Sequence, residues 1–549
     1  MKINNHPTNE DLKELPNIVL LPNHGKIDRL PPYPFVGKRE IFCGPNLPNR
    51  DTRERKFINT KGRYFDIEDV ISQLDDRDKD IELIYSALEA HVSCFPSNLS
   101  KINCPKIAFV FDTHHLLYPI STIIDYLKRE KFTHMFIYAQ PAHLHFFYEA
   151  GFKFSAYYPR TMMNFDTIKN KKLGITYIGR RWSSTHPRRS RMVQFLAKKL
   201  PKNNIPFYYY NRLPRPIWQK ILAKSNITVL CSLNGQVTPQ IYACLFAGSL
   251  CFIDELSPQT FIYNFFQPGS HLISWSNFDD LLEKLIYYYN HPKEVETIST
   301  AGNLQVKKIV TESENFPKII SEFVFENKVD SRYIANNDKR CEQQRDESPG
   351  YFKVRVRLYE NMQELHRIHE TLNLISLTEK NLKPTSDLVD LPRLKITHAF
   401  ISANLKNEAD AYFQSVGIRK QIQTEMLYKL HDLNCYDIGI LEVQEKITKW
   451  KLMVKSISRL LKRNSLLWVL GNLNSDEENI LKKEGFRSYN PMTSSWKKKT
   501  KNLSKKICFL FWKYGFYSFP YLTLKPTMKT VSNLNVFMRG WQTHFPYLY

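Results

Sequence analysis

The sequence predicts an α/β protein with two Rossmann-like, doubly wound domains and a third, smaller α/β domain. The chain has 549 residues, which is too long for one ordinary hydrophobic core. Short apolar runs with strand character alternate with segments of helical periodicity, a pattern typical of parallel sheets covered by helices. Apolar residues make up 42% of the chain and aromatic residues 13%, so a wholly disordered protein is excluded.

The segment from Thr228 to Gly269 shows the alternation most clearly. A β-branched run leads into a small polar turn, then into a helix with apolar residues at helical spacing, then into a second apolar run that ends on Asp254. Gly248 lies where such a helix should end. We therefore predict a strand, a turn, a helix and a strand in succession. Ligands of such units lie at the carboxyl ends of the strands, and phosphate is attracted to the helix N-terminus.

Composition and periodicity divide the chain into six parts. Residues 1–39, rich in Pro and Asn, are predicted to be an extended lead-in. Residues 40–160 and 161–330 are predicted to be the two doubly wound domains. Residues 331–350 are polar and charged, which is typical of a linker. Residues 351–495 are predicted to be the third α/β domain, and residues 496–549 a tail rich in Lys and aromatic residues.

Two blocks of sequence carry a family resemblance. The first runs from the strand end at Asp112-Thr113-His114-His115 to Tyr158-Pro159. The second contains Ser232-Leu233-Asn234-Gly235, Ala247-Gly248 and Ile253-Asp254. These blocks resemble bacterial GT-B glycosyltransferases of the spore-maturation type, which use nucleotide-sugar donors, and Tyr158-Pro159 matches the family's interdomain crossover. The resemblance covers about residues 40–325. It implies a GT-B arrangement, in which the first domain binds the acceptor and the second binds the donor.

The sequence departs from this family at two positions. The family has an Arg-x-x-Glu pair at the start of the donor-domain helix, whereas this chain has Gln240 and Ala243. The resemblance implies that the Arg pairs with a phosphate and that the Glu accepts hydrogen bonds from ribose hydroxyls. We therefore expect weak donor binding. The double substitution Gln240→Arg with Ala243→Glu is expected to tighten that binding at least about tenfold.

The resemblance places the predicted catalytic residues, Asp112, His114 and His115, after a strand of the first domain. Glycosyl transfer needs a base for the acceptor hydroxyl or a group that steadies the departing phosphate, and Asp or neutral His can do either. The alternative is that Asp112 caps a turn while the two His side chains line a polar wall.

The predicted donor-binding residues all belong to the second domain. Arg is favoured among them because its guanidinium can bind two phosphate oxygens at once. The alternative for each Arg is ordinary surface basicity. The full set is Gly179, Arg180, Arg188, Arg189, Ser232, Asn234, Gly235, Gln240, Gly248 and Asp254.

No metal site is predicted. Asp76-Arg77-Asp78 resembles the D-x-D motif of metal-dependent glycosyltransferases, but its charged surroundings favour a solvated loop. His143 and His145 are interpreted as satisfied or exposed side chains and not as metal ligands. No cofactor is expected beyond the nucleotide sugar, which is a substrate.

The net charge of +24 favours acidic partners such as nucleotide phosphates or anionic lipid headgroups. No nucleic-acid recognition motif is present, so nucleic acid is not predicted as a partner. The basic aromatic tail has two interpretations. It contacts a membrane surface peripherally, or it packs on the third domain as a terminal helix and strand.

The third domain resembles the C-terminal half of a class I S-adenosylmethionine methyltransferase. The resemblance lies in the strands at Tyr436–Leu441 and Ser465–Leu470 and in the helix that closes before Gly485-Phe486. The family's glycine-rich cofactor loop would lie near Ile396 to Asn404, where there is no Gly. The domain is therefore interpreted as degenerate and is not expected to bind the cofactor.

A cytoplasmic location, with peripheral contact to the inner membrane face through the tail, is predicted from three features. The nine Cys form no C-x-x-C pair and are interpreted as reduced thiols, the amino terminus lacks an apolar signal core, and no apolar run could span a bilayer. The predicted function is transfer of a sugar from a nucleotide sugar to a glycan, lipid-linked or protein acceptor. The rival is a non-catalytic protein that keeps the fold to bind a glycan or partner, which Gln240 and Ala243 favour.

Overall fold

The computed structural model divides the chain into two compact units. Unit 1 comprises residues 1–115 and 119–341, and unit 2 comprises residues 116–118 and 342–549. The division at 341/342 falls inside the polar segment predicted as a linker. The residues described are 18–21, 39–45, 47, 51, 55–90, 93–114, 118–138, 140–157, 171, 173–180, 186–211, 213–313, 316–328, 339–340, 349–368, 371–378, 382–430, 435–442, 447–470, 473–488 and 534–539.

The first sheet of unit 1 has seven parallel strands in the order β3-β2-β1-β4-β5-β6-β7. The strands are β1 (Ile18–Leu21), β2 (Glu40–Gly44), β3 (Arg55–Asn59), β4 (Leu83–Leu88), β5 (Lys106–Val110), β6 (His134–Ile137) and β7 (Phe154–Tyr157). The helices are α1 (Ile67–Ile71), α2 (Pro119–Arg129) and α3 (Leu144–Glu149). On α2, four apolar residues at helical spacing are all buried: Ile120, Ile123, Ile124 and Leu127.

Strand β1 corrects the interpretation of residues 1–39 as an extended lead-in. Its backbone pairs with β2 on one side and β4 on the other, with Val19 opposite both Ile41 and Ile84. The chain therefore contributes an interior strand of the first sheet before residue 40. An apolar run of four residues followed by a proline is too short to show a period, so sequence pattern alone did not reveal it.

The second sheet of unit 1 has five parallel strands in the order β12-β11-β10-β8-β9. The strands are β8 (Leu173–Ile178), β9 (Phe207–Tyr210), β10 (Ser225–Val229), β11 (Leu250–Asp254) and β12 (Ile273–Trp275). The helices are α4 (Pro187–Lys199), α5 (Arg215–Lys224), α6 (Pro239–Phe246), α7 (Ile262–Phe265), α8 (Phe278–Asn290) and α9 (Pro292–Ser313). The strand, helix and strand predicted within Thr228 to Gly269 are confirmed as β10, α6 and β11.

Helix α10 (Phe316–Phe325) crosses back to the first sheet, which corrects the predicted domain boundary at residue 330. Its buried residues Ile320, Phe323 and Val324 belong to the same core as Phe136 of β6. Asn327, just after the helix, lies 3.1 Å from His134 through Oδ1 and Nε2. The apolar residues at spacings of three and four give α10 one face that the first sheet can bury.

Unit 2 contains the predicted third α/β domain, with a seven-stranded sheet in the order β15-β14-β13-β16-β17-β19-β18. Its strands are β13 (Leu372–Leu377), β14 (Leu394–Phe400), β15 (Ile422–Met426), β16 (Tyr436–Glu442), β17 (Leu461–Leu470), β18 (Phe486–Ser488) and β19 (Leu534–Arg539). Its helices are α11 (Pro349–Ile368), α12 (Lys383–Leu388), α13 (Ala403–Ser415), α14 (Ile447–Leu460) and α15 (Ser475–Lys483).

Strand β19 corrects the boundary predicted at residue 495, because this part of the tail belongs to the sheet of unit 2. It runs antiparallel between β17 and β18, with Val536 opposite Trp468. At these residues the structure favours the interpretation of the tail as a packed strand. Residues 496–533 and 540–549, which carry the predicted membrane contact, lie outside the described residues.

Candidate functional site

The candidate site of unit 1 lies where the carboxyl edges of its two sheets meet. In the second sheet the strand order reverses between β8 and β10, the position where open parallel sheets bind ligands. From the first sheet, Asp112 follows β5 and Gln140 follows β6. The side-chain Nδ2 of Asn234, beyond β10, donates to the carbonyl oxygen of His114 at 2.6 Å. Predicted residues of both domains are thus brought together.

Asp112 is the carboxylate of this site. Its side chain is about one-third exposed, and its Oδ1 lies 3.8 Å from Nδ1 of the buried His114. Burial raises the pKa of Asp112 to about 6, and the guanidinium of Arg189 opposes part of that rise. The charge of Arg189 therefore acts on Asp112 from the second sheet. A carboxylate with a raised pKa is a stronger proton acceptor than an exposed one.

His114 is held in place by its burial and by a hydrogen bond that its main-chain carbonyl accepts. Its side chain is only 1% exposed. Its carbonyl oxygen holds Asn234. The third predicted catalytic residue, His115, lies outside the described residues, as does the predicted crossover at Tyr158-Pro159. The structure thus places Asp112 and His114 together and does not test His115.

Two buried histidines, His143 and His145, lie next to the loop that carries Asp112. Thr113 Oγ1 is 2.8 Å from Nδ1 of His143, and Nδ1 of His145 donates to the carbonyl oxygen of Ala142 at 2.9 Å. Burial, with smaller contributions from His145 and Arg340, lowers the pKa of His143 well below its usual value. His143 is therefore neutral and acts as a support for the loop that carries Asp112.

Gln140 is a residue of the site that sequence reasoning missed. It is fully buried, and its Nε2 lies 3.5 Å from the carbonyl oxygen of Asn234. Its Oε1 has no hydrogen-bond partner among the described residues. The available signal was its position shortly after an apolar run, which forms β6, just as Asp112 follows β5 closely.

Arg188 and Asp254 form a buried ion pair. Arg188 Nη1 lies 2.6 Å from Asp254 Oδ2, and the guanidinium is 4.6 Å from the centre of the Trp275 ring. Asp254 also accepts hydrogen bonds from the backbone N–H and the hydroxyl of Ser232, at 2.6 Å and 2.7 Å. The pair thereby fixes the loop that follows β10. Both residues support this loop, and their donor-binding role stays a prediction.

Arg189, the next residue, faces the site. Its Nε donates to the carbonyl oxygen of Cys231 at 2.7 Å, at the carboxyl end of β10. The half-buried Arg180 and Gly179 follow β8 at the same edge. Gly179 cannot readily carry a side chain, because a Cβ there would lie 2.9 Å from the Tyr177 hydroxyl. These residues keep the donor-binding role as a prediction.

Asn234 and Gly235 form a turn with positive φ angles of 53° and 77°. Such a turn favours Asn and Gly because other side chains are strained there. Helix α6 begins four residues later, with Thr238 as its N-cap accepting from the backbone N–H of Gln240. Backbone N–H groups of the turn and the helix start are the elements that attract phosphate in parallel α/β sheets.

The position of Ala243 argues against the expectation that a glutamate there would restore donor binding. It is fully buried in an apolar cluster with Ile178, Leu222 and Ala247. A carboxylate at this position would lie among apolar side chains. Gln240, in contrast, is half-buried and its Nε2 lies 3.5 Å from the carbonyl oxygen of Ile178. Only Gln240 is placed at the site.

Gly248 terminates α6, and its predicted donor-binding role stays a prediction. Its φ is 65°, and it ends α6 with hydrogen bonds from the N–H groups of Gly248 and Ser249 to the carbonyl oxygens of Leu245 and Cys244. This end of α6 leads into the start of β11, at the amino edge of the sheet. The side chain of Lys171 binds at this helix end, where its Nζ donates to the carbonyl oxygens of Ala247 and Ala223, at 2.9 Å and 3.0 Å.

The aspartates of the D-x-D segment do not behave alike, which corrects the interpretation of a solvated loop. Asp76 is exposed, but Asp78 is 1% exposed and pairs with Arg39 at 2.8 Å and Lys56 at 3.8 Å. The carboxylate of Asp78 is therefore used in ion pairs within the protein and is not solvated. In the described part of the chain, no group of three or more His, Cys, Asp and Glu side chains is arranged to hold a metal ion.

Unit 2 does not fit an S-adenosylmethionine site. Ile396 to Asn404, where the resemblance placed the cofactor loop, lie in the latter part of β14, the short turn after it and the start of α13. The chain contains no Gly from Tyr351 to Val416. Helix α12 beyond the loop is entirely buried, and its Asp387 is held by a bidentate pair with Arg355 at 2.9 Å and 3.0 Å.

One family comparison matches part of the chain. Residues 163–315 match the model of a family described as Glycosyl transferase-like. The match covers the second sheet of unit 1 and its helices, so the chain contains a glycosyltransferase-like domain. No curated protein matches the chain significantly.

Several solved structures are similar at low identity. HepE of Anabaena in complex with UDP and glucose is 10% identical, with 56% of this chain and 100% of HepE covered and a TM-score of 0.39. Sucrose-phosphate synthase of Thermosynechococcus elongatus is 9% identical, with 56% and 99% covered and a TM-score of 0.39. The StiE O-MT segment is 15% identical, with 31% and 68% covered and a TM-score of 0.19. At these values the similarities carry no argument about activity.

None of the seven described cysteines forms a disulfide. Among the helices that the structure describes, none is both long and apolar enough to cross a bilayer.

Proposed function

We propose that unit 1 transfers a sugar from a nucleotide sugar to an acceptor hydroxyl, in the manner of GT-B glycosyltransferases. The observation that carries the proposal is Asp112 opposite Arg189 at the facing carboxyl edges of two parallel sheets. One side offers a carboxylate that can take a proton. The other offers a cation, beside a turn and a helix start suited to phosphate.

Asp112 is assigned the role of general base. It accepts the proton of the acceptor hydroxyl as that oxygen bonds to the anomeric carbon and the nucleoside diphosphate leaves with the electron pair of the broken bond. Its pKa of about 6 lies close to neutral pH, where a base is both ionised and basic. His114 supports the loop and stays within 3.8 Å of the carboxylate.

The diphosphate is assigned to Arg189 and to the backbone N–H groups around Asn234, Gly235 and Gln240, with Arg180 and Gly179 at the neighbouring strand end. Charge on the departing diphosphate is thus stabilised by a guanidinium and oriented dipoles, and no metal or other cofactor is needed. Ser232 is held by Asp254 and positions the turn. The acceptor classes remain a glycan, a lipid-linked sugar or a protein.

The second candidate is a non-catalytic protein that binds a glycan or a partner with the same fold. Two observations favour it. Ala243 is buried in an apolar cluster, at the position where the glycosyltransferases that this chain resembles have Glu. The Asn234 side chain also spans the site to the carbonyl oxygen of His114. This candidate predicts ligand binding without release of a nucleoside diphosphate.

The test is a thermal-shift panel of common nucleotide sugars, with UDP-glucose included because a HepE complex contains it. A ligand at a hundred times its dissociation constant stabilises a protein by about 2.7 kcal/mol. Release of nucleoside diphosphate is then measured for the best ligand with parent protein and Asp112→Asn. The proposal expects release that falls at least about a hundredfold in the variant. Binding with no release from the parent would favour the non-catalytic candidate.

For unit 2 we propose that S-adenosylmethionine is not a ligand, because no glycine lies where the backbone must approach the cofactor. Calorimetric titration of the full chain is expected to show no heat of binding. A dissociation constant in the micromolar range would contradict this.

A further inference from the structure

We propose that the outward face of α5 in unit 1 docks on an anionic lipid surface. Three exposed residues form this face: Ile217, Lys220 and Lys224. Leu222 and Ala223 form the buried face of the helix. At 100° per residue, Ile217, Lys220 and Lys224 fall within about one-sixth of a turn, on the side of the helix opposite Leu222. The face is thus defined by the angular position of its residues around the helix axis and by their exposure.

The charge around this face has one sign. Between Asp166 and Asp254 the sequence contains fifteen Lys or Arg and no Asp or Glu. That stretch includes β8, α4, β9, α5, β10 and α6, and α5 packs against β8, β10 and α6. No acidic group from any of these elements can neutralise the lysines of the face. The field around α5 therefore favours an extended anionic partner.

The exposed Ile217 favours a lipid surface as the partner over a nucleic acid or an anionic glycan. Ile217 is 49% exposed and is flanked by the exposed Pro214, Arg215 and Pro216 at the start of the helix. A nucleic acid or an anionic glycan has no apolar layer for an isoleucine, whereas a bilayer takes apolar side chains just below its headgroups. Half-buried Trp218 follows directly, a residue type favoured at that interface.

Helix α9 of the same domain supplies matched controls. It also presents exposed lysines, Lys293 and Lys308, and an exposed apolar residue, Leu304, at 64%. Unlike α5, it carries acidic residues, with Glu294 and Glu296 among its first turns. Reversing two lysines on either helix changes the net charge of the whole protein equally. Any contribution of the basic tail is thereby held constant.

The experiment is co-sedimentation of the full chain with vesicles of phosphatidylcholine containing about 30% phosphatidylserine, compared with phosphatidylcholine alone. Each Lys near such a surface strengthens binding about fivefold, so Lys220→Glu/Lys224→Glu is expected to weaken partitioning at least tenfold. Lys293→Glu/Lys308→Glu is expected to change it less than about threefold. Ile217→Ser is expected to weaken partitioning several-fold, and Leu304→Ser is not.

Two results would overturn the proposal. One is an equal loss in the α5 and α9 double variants, which would mean that net charge and not this face drives binding. The other is unchanged vesicle binding by the α5 variant together with lost retention on heparin, which would assign the face to a soluble polyanion. Melting curves check the fold of each variant. Lys220→Gln/Lys224→Gln repeats the test with a milder change.

Discussion

The side-chain Nδ2 of Asn234 donates a 2.6 Å hydrogen bond to the carbonyl oxygen of His114, and so joins the carboxyl edge of the second sheet to that of the first. A second contact between the two domains lies beside it, where the hydroxyls of Tyr157 and Tyr242 are 2.8 Å apart. Both tyrosines are buried. The relative position of Asp112 and Arg189 thus depends on direct polar contacts between the domains.

Removing the Asn234 side chain tests this junction. Asn234→Gly keeps the left-handed backbone conformation but loses the hydrogen bond, so unfolding free energy should fall by about 1–3 kcal/mol, because a buried acceptor is left without its donor. The matched control is Asn204→Gly, at an exposed position with nearly the same φ of 57°. Urea unfolding measures both. Equal, small effects would mean that the junction does not stabilise unit 1.

Asp112 predicts a pH dependence of stability. Its pKa is about 6 in the folded protein and near 3.8 in the unfolded chain, so the folded state binds the proton more tightly. That stability is present below pH 4 and is lost as pH rises through 6. Asp112→Asn cannot ionise, so it should be more stable than the parent at pH 7.5 by about 1–2 kcal/mol, allowing for the partial exposure of the side chain.

The measurement is denaturant unfolding at pH 4.5 and 7.5, with the exposed Asp125→Asn on α2 as control. The advantage of Asp112→Asn should shrink towards pH 4.5. A variant less stable than the parent at pH 7.5 would contradict the assignment of a destabilised carboxylate.

The burial of Ala243 predicts that Ala243→Glu destabilises the protein, whereas the sequence alone predicted that this change, with Gln240→Arg, would tighten donor binding. Because Ala243 lies in an apolar cluster, Ala243→Glu should lower the unfolding free energy by about 3 kcal/mol or more through desolvation of the carboxylate. Gln240→Arg, at a half-buried position, should cost less than about 1 kcal/mol. Ala301→Glu, a half-buried alanine on α9, controls for the change of residue type. A stable Ala243→Glu with tighter donor binding would restore the sequence prediction.

His398 predicts acid sensitivity in unit 2. Burial lowers the pKa of His398 to about 4, against 6.5 in the unfolded chain, and its Nε2 donates to the carbonyl oxygen of Thr378 at 2.8 Å. The unfolded state therefore binds the proton first. Stability is full above pH 6.5 and is lost as pH falls towards 4, by roughly 3 kcal/mol.

His398→Gln should remove the part of this slope that His398 contributes, because glutamine does not titrate, whereas the buried His143 of unit 1 keeps its own contribution. Exposed His291→Gln should leave it unchanged. Calorimetric melting of the full chain from pH 7 to pH 4.5 compares the three proteins. The same slope in parent and His398→Gln would place the acid sensitivity elsewhere.

The sequence predicted the elements with clear periodicity and missed those without it. The β10, α6 and β11 succession has apolar residues at strand and helix spacing, and it was found. Strand β1 has four residues, and β19 pairs with strands distant in sequence. Their positions depend on tertiary pairing, which a local pattern does not contain.

The candidate site shows the same limit at single residues. Arg188 and Arg189 are adjacent and chemically identical, so composition predicted one role for both. Successive residues on a helix point about 100° apart, which sends Arg188 to Asp254 in the core and Arg189 to the site. Gly248 likewise matched a family motif, and the structure shows that it ends α6. The type of residue was predictable, whereas its direction required the fold.

The most direct test of the proposed site is calorimetric titration of the best nucleotide sugar into parent, Arg189→Gln and Lys198→Gln. Both variants remove one positive charge from α4, but Lys198 is exposed on its last turn. If Arg189 binds the diphosphate, losing its charge-assisted hydrogen bonds should weaken binding by about 1.5–3 kcal/mol, or roughly 10- to 150-fold, while Lys198→Gln binds like the parent. Equal affinity of folded Arg189→Gln and parent, or no binding of any nucleotide sugar by the parent, would contradict the account.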